Sequence, residues 1–139
     1  MQAVVSATGK SRGYDLKTGD VIWEAAGMTL NAIPSPIEKD GVVYLMSGFR
    51  GNALQAIRLS GARGDVSEGD EILWSYDRDT PYVPSPLLYD DQLYFLKRNN
   101  AVLSSFAAEG GKPLFGPVRL EGLGGIYASP VGAAGHVYI

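Results

Sequence analysis

The sequence predicts an all-β fold in which a small antiparallel sheet recurs along the 139 residues. Three observations favour it. Short runs of β-branched and aromatic residues alternate with Gly, Pro, Asn and Asp, as in strands joined by turns. The segment Tyr14–Trp23 has the pattern of a strand, a tight turn and a second strand. Later segments repeat this pattern at nearly constant spacing, which indicates one repeating β unit.

The segment Tyr14–Trp23 is the clearest copy of the unit. Gly19 can adopt the positive φ that a hairpin turn demands, and a new strand begins after it. Alternation along that strand predicts that Val21 and Trp23 share one face and that Ile22 lies on the other. Trp23 is interpreted as a large apolar plug in the sheet packing, whose indole N–H donates to a backbone carbonyl.

Two markers define the period of the repeat. The prolines of three Ser-Pro dipeptides are spaced by 50 and 44 residues, and three tyrosines are spaced identically. The markers are Pro36, Pro86 and Pro130, and Tyr44, Tyr94 and Tyr138. Trp23 and Trp74 are 51 residues apart, and Phe115 follows 41 residues later. A period of about 40 to 50 residues made of short strands predicts a β-propeller array, with one four-stranded sheet in each blade.

The order of these features resembles the quinoprotein-like β-propeller repeat, also called the PQQ-like or tryptophan-docking repeat. That order is a Ser-Pro strand, a Gly-Val-Val-Tyr strand, a Tyr-Asp-Leu-x-Thr-Gly turn and a strand ending in Trp. The resemblance covers nearly the whole chain and is best at Tyr14–Trp23. The second copy departs at Leu59–Gly61, where a long insertion follows, and the third has Phe115 in the Trp position. The resemblance implies an extracytoplasmic protein of about seven or eight blades.

The repeat divides the chain into a blade remnant at residues 1–27, blades at 33–76 and 83–120, and a second remnant at 128–139. Both remnants lack strands, so the sequence is expected to be a fragment of a larger protein, an open propeller of about three blades. Open blade edges recruit other chains, so a homo-oligomer, most simply a dimer, or else aggregation is expected. In it, the strand Ser129–Val131 of one copy would lie beside Val4–Ala7 of another.

Three segments invite a binding role and receive a simpler interpretation. The insertion Gly61–Asp70 is acidic, but its spacing lacks the pattern of a calcium loop, so a solvated turn is favoured. The turn Lys97–Asn100 could contact an anion, but a surface hairpin is favoured, with Asn99 and Asn100 suited to positive φ. The glycines at 122–125 precede no helix, so they are interpreted as an inter-blade connection rather than a phosphate loop.

Composition excludes several kinds of site. The chain has no cysteine, which excludes disulfides, thiolate nucleophiles and cysteine metal sites. His136 is the one histidine, so no Ser-His-Asp set or histidine cluster can form, and a strand-packing or edge role is favoured for it. A net charge of −3 argues against nucleic-acid binding, and no apolar run approaches a membrane span. The segment Met1–Thr8 lacks the features of a signal peptide.

The resemblance implies two classes of function. One is a non-enzymatic binding or assembly scaffold, similar to the lipoprotein propeller of the outer-membrane barrel assembly machinery, with a protein or peptide partner. The other is part of a pyrroloquinoline-quinone-dependent dehydrogenase whose cofactor residues lie outside this segment. The scaffold is favoured, because the adjacent cysteines of the family's alcohol dehydrogenases are absent and no catalytic, cofactor-binding or metal-binding residue can be assigned. No cofactor is expected, and the residues that bind a partner are not assignable from the sequence.

Overall fold

The computed structural model describes residues 1–139 and consists of strands, turns and loops. It contains no helix that could cross a membrane. The strands are β1 Gln2–Ala7, β2 Lys10–Asp15, β3 Val21–Ala26, β4 Ile37–Lys39, β5 Val42–Ser47, β6 Ala53–Arg58, β7 Gly64–Asp65, β8 Ile72–Tyr76, β9 Leu87–Tyr89, β10 Gln92–Leu96, β11 Val102–Ala107, β12 Pro113–Arg119, β13 Val131–Ala133 and β14 His136–Tyr138.

These strands form three four-stranded sheets and one two-stranded sheet. The first sheet has the order β1-β2-β3-β7, the second β4-β5-β6-β8, and the third β9-β10-β11-β12, while β13 pairs with β14. Every neighbouring pair is antiparallel except β3 with β7, which is parallel. The sheets do not close on themselves. The predicted all-β fold of four-stranded sheets in a partial, open propeller is confirmed.

Hydrophobic cores fill the two spaces between successive four-stranded sheets. The core between the first and second sheets contains Trp23, Val43 and Leu45. The core between the second and third contains Tyr44 and Met46 among its residues. Successive residues of β5 point to opposite faces, so the second sheet buries both of its faces. Its hydrophobic side chains therefore hold the three sheets together.

The turn between β2 and β3 forms as the sequence predicts. Gly19 has a φ of 81° and donates its N–H to the carbonyl oxygen of Asp15 at 2.8 Å. The Asp15 carboxylate accepts from the backbone N–H of Lys17 at 2.7 Å and from that of Thr18 at 3.3 Å. These two bonds, that of Lys17 above all, lower the pKa of Asp15. The Asx-type turn explains why Asp and Gly occur at these positions.

A β-bulge precedes the aromatic residue at the same place in all three sheets. Tyr14 lies opposite Val21 and Gly13 opposite Trp23, so Ile22 is the extra residue. Leu73 is extra in the second sheet and Leu114 in the third. The prediction that Val21 and Trp23 share a face is therefore wrong, because a bulged residue shifts the alternation by one. Val21 is 49% exposed, whereas Trp23 is fully buried.

The indole N–H of Trp23 has a side-chain partner rather than the backbone partner expected. It donates to Oε1 of Gln2 on β1, at 2.8 Å. Gly13 lies under the ring, and a Cβ there would overlap the indole. Because Gly13 has no side chain, the indole ring of Trp23 packs directly on β2. In the second sheet, by contrast, the indole of Trp74 donates to a backbone carbonyl, that of Ala108, at 3.2 Å.

The insertion Gly61–Asp70 is not simply a solvated turn, which corrects the interpretation from the sequence. Its strand β7 extends the first sheet by pairing with β3. Ala62 is fully buried and Val66 is 3% exposed, both in the core that surrounds Trp23. The Val66 N–H donates to the Glu24 carbonyl at 2.9 Å. The sequence pattern missed this role because two small apolar residues are scattered among charged ones.

The loop Lys97–Asn100 joins β10 to β11 as predicted, but its backbone differs from expectation. Arg98 has the positive φ, 53°, rather than either asparagine. The side chain of Asn99 instead accepts from the Val83 N–H at 3.1 Å. Lys97 forms an ion pair with Asp79 at 2.7 Å. The loop is therefore fastened to the connection that precedes the third sheet, and its lysine charge is neutralised.

Candidate functional site

The contact between the second and third sheets builds the best-defined site of the molecule. Tyr44 on β5 and Trp74 on β8 both donate to the carbonyl oxygen of Ala108, each at 3.2 Å. Their rings lie 6.0 Å apart at 47°. Gly111, in the turn between β11 and β12, lies against the indole, and a Cβ there would be 2.5 Å from the ring of Trp74. The turn of the third sheet thus fits under an aromatic pair of the second.

An open cleft of about 820 Å³ lies beside these rings. Its lining residues are Lys39, Asp40, Val42, Tyr44, Leu73, Trp74, Asp91, Ala107, Ala108, Glu109 and Gly110. We refer to it as the inter-sheet cleft. Leu73, the bulged residue before Trp74, is 43% exposed and contributes apolar surface to the wall. The bulge therefore serves the cleft as well as the core, because the extra residue brings Leu73 and Trp74 to the same wall.

Carboxylates dominate the charge of the inter-sheet cleft. Asp40, Asp91 and Glu109 contribute to its lining. The one cation in the lining, Lys39, is paired with Asp91 and lies 4.0 Å from Asp40. Burial raises the pKa of Tyr44, and the nearby charges of Asp40 and Glu109 raise it further. The cleft therefore combines an aromatic and aliphatic wall with a negative potential.

The cleft belongs to an end of the molecule that is rich in acidic side chains. In antiparallel sheets, the first-to-second and third-to-fourth strand turns lie at one end. We call this the acidic end, and it carries Asp40, Glu68, Asp70, Glu71, Asp90, Asp91 and Glu109. Fewer cations share it, and Lys39 is taken up in its ion pair. A cationic group approaching this end meets a favourable field.

The opposite end carries aromatic and basic side chains that pack on each other. Phe49 and Tyr82 stack with centroids 4.8 Å apart at 25°. The Arg50 guanidinium lies 5.4 Å from the Phe49 centroid. Thr80 lies beneath this cluster and donates its hydroxyl to the Ser47 carbonyl at 2.7 Å. These contacts join the connections between sheets, so the cluster has a structural role.

The segments that the sequence singled out do not converge on a common site. His136 is exposed on the edge strand β14, with Nδ1 2.8 Å from the Ala134 carbonyl oxygen. Glycines 122–125 lie in the connection between the third sheet and β13. Asp65 of the insertion binds the hydroxyl and the backbone N–H of Ser67, and these bonds lower its pKa. No group of three or more His, Asp or Glu side chains is arranged to hold a metal ion.

The inter-sheet cleft itself was missed at the level of sequence. Two signals could have indicated it: the repeated Trp74, and the small residues Ala108 and Gly111 in the following copy. Small residues one repeat after a tryptophan mark the place where a large ring needs room. The carboxylates carry no such signal, because acidic residues in hairpin turns are common in any β protein.

Comparisons with known proteins support the fold. No family model and no curated protein matches the sequence. Among solved structures, the chain is similar to the crystal structure of BamB from Moraxella catarrhalis, with 17% identity and a TM-score of 0.56. The match covers 82% of this chain and 36% of that one, so the chain spans about a third of the length of its structural neighbour. At this identity the likeness shows a propeller-like all-β fold.

Proposed function

We propose that this chain is a non-enzymatic binding scaffold built from quinoprotein-like propeller repeats, and that it holds polypeptide segments between neighbouring blades. In this proposal the blades occupy residues 33–76 and 83–120, with partial blades at 1–27 and 128–139. The repeated bulge before Trp23, Trp74 and Phe115 supports the repeat. It recurs at three places, each of which has an aliphatic residue directly before the aromatic one.

The inter-sheet cleft is the observation that carries the binding proposal. Its volume of about 820 Å³ is within the range of ligand sites. Because Lys39 is already paired with Asp91 and lies 4.0 Å from Asp40, Glu109 is the carboxylate of the lining left to attract a ligand. A lysine or arginine side chain has an apolar stem and a cationic head, which match the Leu73 and Trp74 wall and the carboxylates. We therefore propose a basic polypeptide segment as the occupant.

Binding can be tested with two short synthetic peptides, one of alternating leucine and lysine and one of alternating leucine and glutamate. Tryptophan fluorescence reports on the cleft, since Trp74 lines it. We expect a saturable change with the lysine peptide only. Equal binding of both peptides, or of neither, would contradict the proposal.

Two charge reversals locate the site. Glu109→Lys, in the cleft, is expected to weaken binding of the lysine peptide about tenfold. Glu121→Lys changes the net charge equally at the other end of the third sheet, about 20 Å away along six residues of β11. That distance exceeds the Debye length of about 10 Å at 0.1 M salt, so the control is expected to bind normally. Equal losses in the two variants would indicate non-specific attraction.

We also propose an extracytoplasmic location and self-association. The location rests on the resemblance of the repeats to a family of largely extracytoplasmic proteins, and fractionation of the source cells tests it. Self-association rests on strands whose outer edges have no neighbour, such as β1 and β12. Unpaired backbone groups along such edges favour pairing with another chain.

A further inference from the structure

The junction between the second and third sheets has two interlocking parts. Trp74 is the plug, and Ala108 with Gly111 forms the receiver. A ladder of serines accompanies the junction. The Ser35 N–H donates to the Ser85 hydroxyl at 2.9 Å, and the Ser85 N–H donates to that of Ser129, also at 2.9 Å. The serines of the Ser-Pro dipeptides therefore register each sheet against the next.

The outer face of the third sheet presents an unoccupied plug. Phe115 follows a bulge as Trp74 does, yet it is 41% exposed. Leu114 and Val118 on the same strand are 47% and 48% exposed. The N–H of Ser129, at the end of the serine ladder, has no hydrogen-bond partner in the chain. This face repeats the plug half of the internal junction.

The first sheet presents an empty receiver. Leu16 and Gly19 stand in the β2–β3 turn where Ala108 and Gly111 stand in the β11–β12 turn, counted from the aromatic residue that follows. Leu16 is 55% exposed, and a Cβ at Gly19 would meet nothing within 4 Å. The free edge of β1 belongs to the same side of the molecule as this receiver. The Ser35 hydroxyl also belongs to that side, and it accepts no hydrogen bond.

We infer that two copies of this chain associate head to tail, with Phe115 of each copy seated on Leu16 and Gly19 of the other. This inference deepens the proposed self-association and rests on it. The plug and the receiver occupy the strand and turn positions of an interface that the chain already forms internally, with Phe in place of Trp and Leu in place of Ala, so a second copy supplies both halves. The Ser129 N–H of one copy would donate to the Ser35 hydroxyl of the next and continue the ladder.

Strand pairing follows from the same register. Ile37 on β4 lies opposite Tyr44 on β5, and Val131 on β13 lies opposite Tyr138 on β14. If Val4 of the second copy takes the place of Tyr138, Val131 would lie opposite Val4. β1 would then replace β14, which pairs over three residues whereas β1 offers six. Each junction completes a blade, and the two equivalent junctions relate the copies by a two-fold axis.

Light scattering coupled to size exclusion tests the inference with the full chain at tens of micromolar. We expect a two-copy mass for the wild type and a one-copy mass for Phe115→Asp and for Leu16→Asp. A charge in place of a central aromatic anchor is expected to weaken association about thirtyfold or more. Leu30→Asp is the matched control, since Leu30 is 47% exposed and bridges to Phe49, at the end of the molecule away from Leu16 and Gly19. It is expected to keep the two-copy mass.

Mixing the two variants provides the decisive arm. Phe115→Asp retains an intact receiver and Leu16→Asp an intact plug, so an equimolar mixture has one sound junction and is expected to recover a two-copy species. Far-UV circular dichroism establishes that each variant is folded, and Val118→Asp replaces Phe115→Asp if that variant is not. A one-copy wild type overturns self-association and the interface together. A two-copy Phe115→Asp overturns the interface alone, as does a mixture that stays at the one-copy mass.

Discussion

At the scale of single residues, each aromatic plug depends on a small residue opposite it. Trp23 lies opposite Gly13, Trp74 opposite Ala56, and Phe115 opposite Ser105. A larger residue at Gly13 would occupy the space of the indole. Sequence patterns identified the aromatic positions, because large apolar side chains recur with the period. They did not identify the small partners, because glycine, alanine and serine also occur on strands where no large ring lies opposite.

Removal of the first plug should be costly. Trp23 is fully buried in a core with Val43 and Leu45. We expect Trp23→Ala to lower the free energy of unfolding by about 3 to 5 kcal/mol, as truncation of a buried aromatic residue does. Lys97→Ala, which removes a partly exposed ion pair, should cost less than about 1 kcal/mol. Urea denaturation measures both, and an unchanged midpoint for Trp23→Ala would contradict the packing.

The ion pairs of Glu24 give the stability a pH dependence of known sign. Glu24 accepts from Lys10 at 3.1 Å and from Arg12 at 3.0 Å, and these bonds, that of Lys10 first, lower its pKa from the ordinary 4.5. A lowered folded-state pKa stabilises the fold above the unfolded value and loses that contribution as pH falls through the folded value. We therefore expect Glu24→Gln to be less stable than the wild type at pH 7.

The difference between Glu24→Gln and the wild type should narrow as pH falls below 4.5. Urea midpoints across this range measure it. Asp20→Asn is the control, an exposed acid that forms no ion pair. A Glu24→Gln difference that is constant with pH would show that the carboxylate charge contributes nothing.

At the scale of elements, bulges and turns decide how the sheets meet. The strands themselves were predictable: β5 begins at Val42, within the Gly-Val-Val-Tyr segment expected to form a strand, and β8 ends at Tyr76, where the blade expected at 33–76 ends. The bulge before Trp23 was not, because one extra residue leaves the composition of a strand unchanged while it leaves Val21 exposed and Trp23 buried. The role of the insertion also depends on a contact with a distant strand, which local patterns do not encode.

Two glycines at matching turn positions separate packing from backbone strain. Gly111 and Gly19 have φ values of 65° and 81°, so alanine is strained at both. A Cβ at Gly111 would also lie 2.5 Å from Trp74, whereas one at Gly19 would meet nothing. Gly111→Ala is therefore expected to cost about 1 to 3 kcal/mol more than Gly19→Ala. The denaturation is done at a concentration where the chain is monomeric, and equal costs would show that Trp74 does not contact the turn.

The insertion should prove to be part of the core. Val66 is 3% exposed and contacts the cluster around Trp23. Val66→Ala is expected to lower the free energy of unfolding by about 2 kcal/mol, through two lost methyl groups and the space they leave. Glu68→Ala, two residues away and exposed, should change it by less than about 0.5 kcal/mol. Similar small effects of both substitutions would restore the interpretation of a solvated turn.

At the scale of the whole molecule, the repeat was the most predictable feature and the inter-sheet cleft the least. Two markers kept the same spacing of 50 and 44 residues, and the serine bonds span those same separations. The cleft, by contrast, brings together Lys39 from β4, Trp74 from β8 and Glu109 from the turn between β11 and β12. Charged residues in turns do not recur with the period of the repeat, so the sequence pattern does not indicate them. The expectation that the chain binds no pyrroloquinoline quinone stays a prediction.

Trp74 of the second sheet seats on the Gly111 turn of the third, and this contact is central to how these two sheets are joined. Nuclear Overhauser contacts between the Trp74 ring protons and the Gly111 α protons test it most directly. We predict strong cross-peaks, since a Cβ at Gly111 would lie 2.5 Å from the ring. We also predict slow solvent exchange of the Trp74 indole proton, which is donated to Ala108. Absence of these cross-peaks, with an indole proton that exchanges at the rate of a free peptide, would contradict this packing.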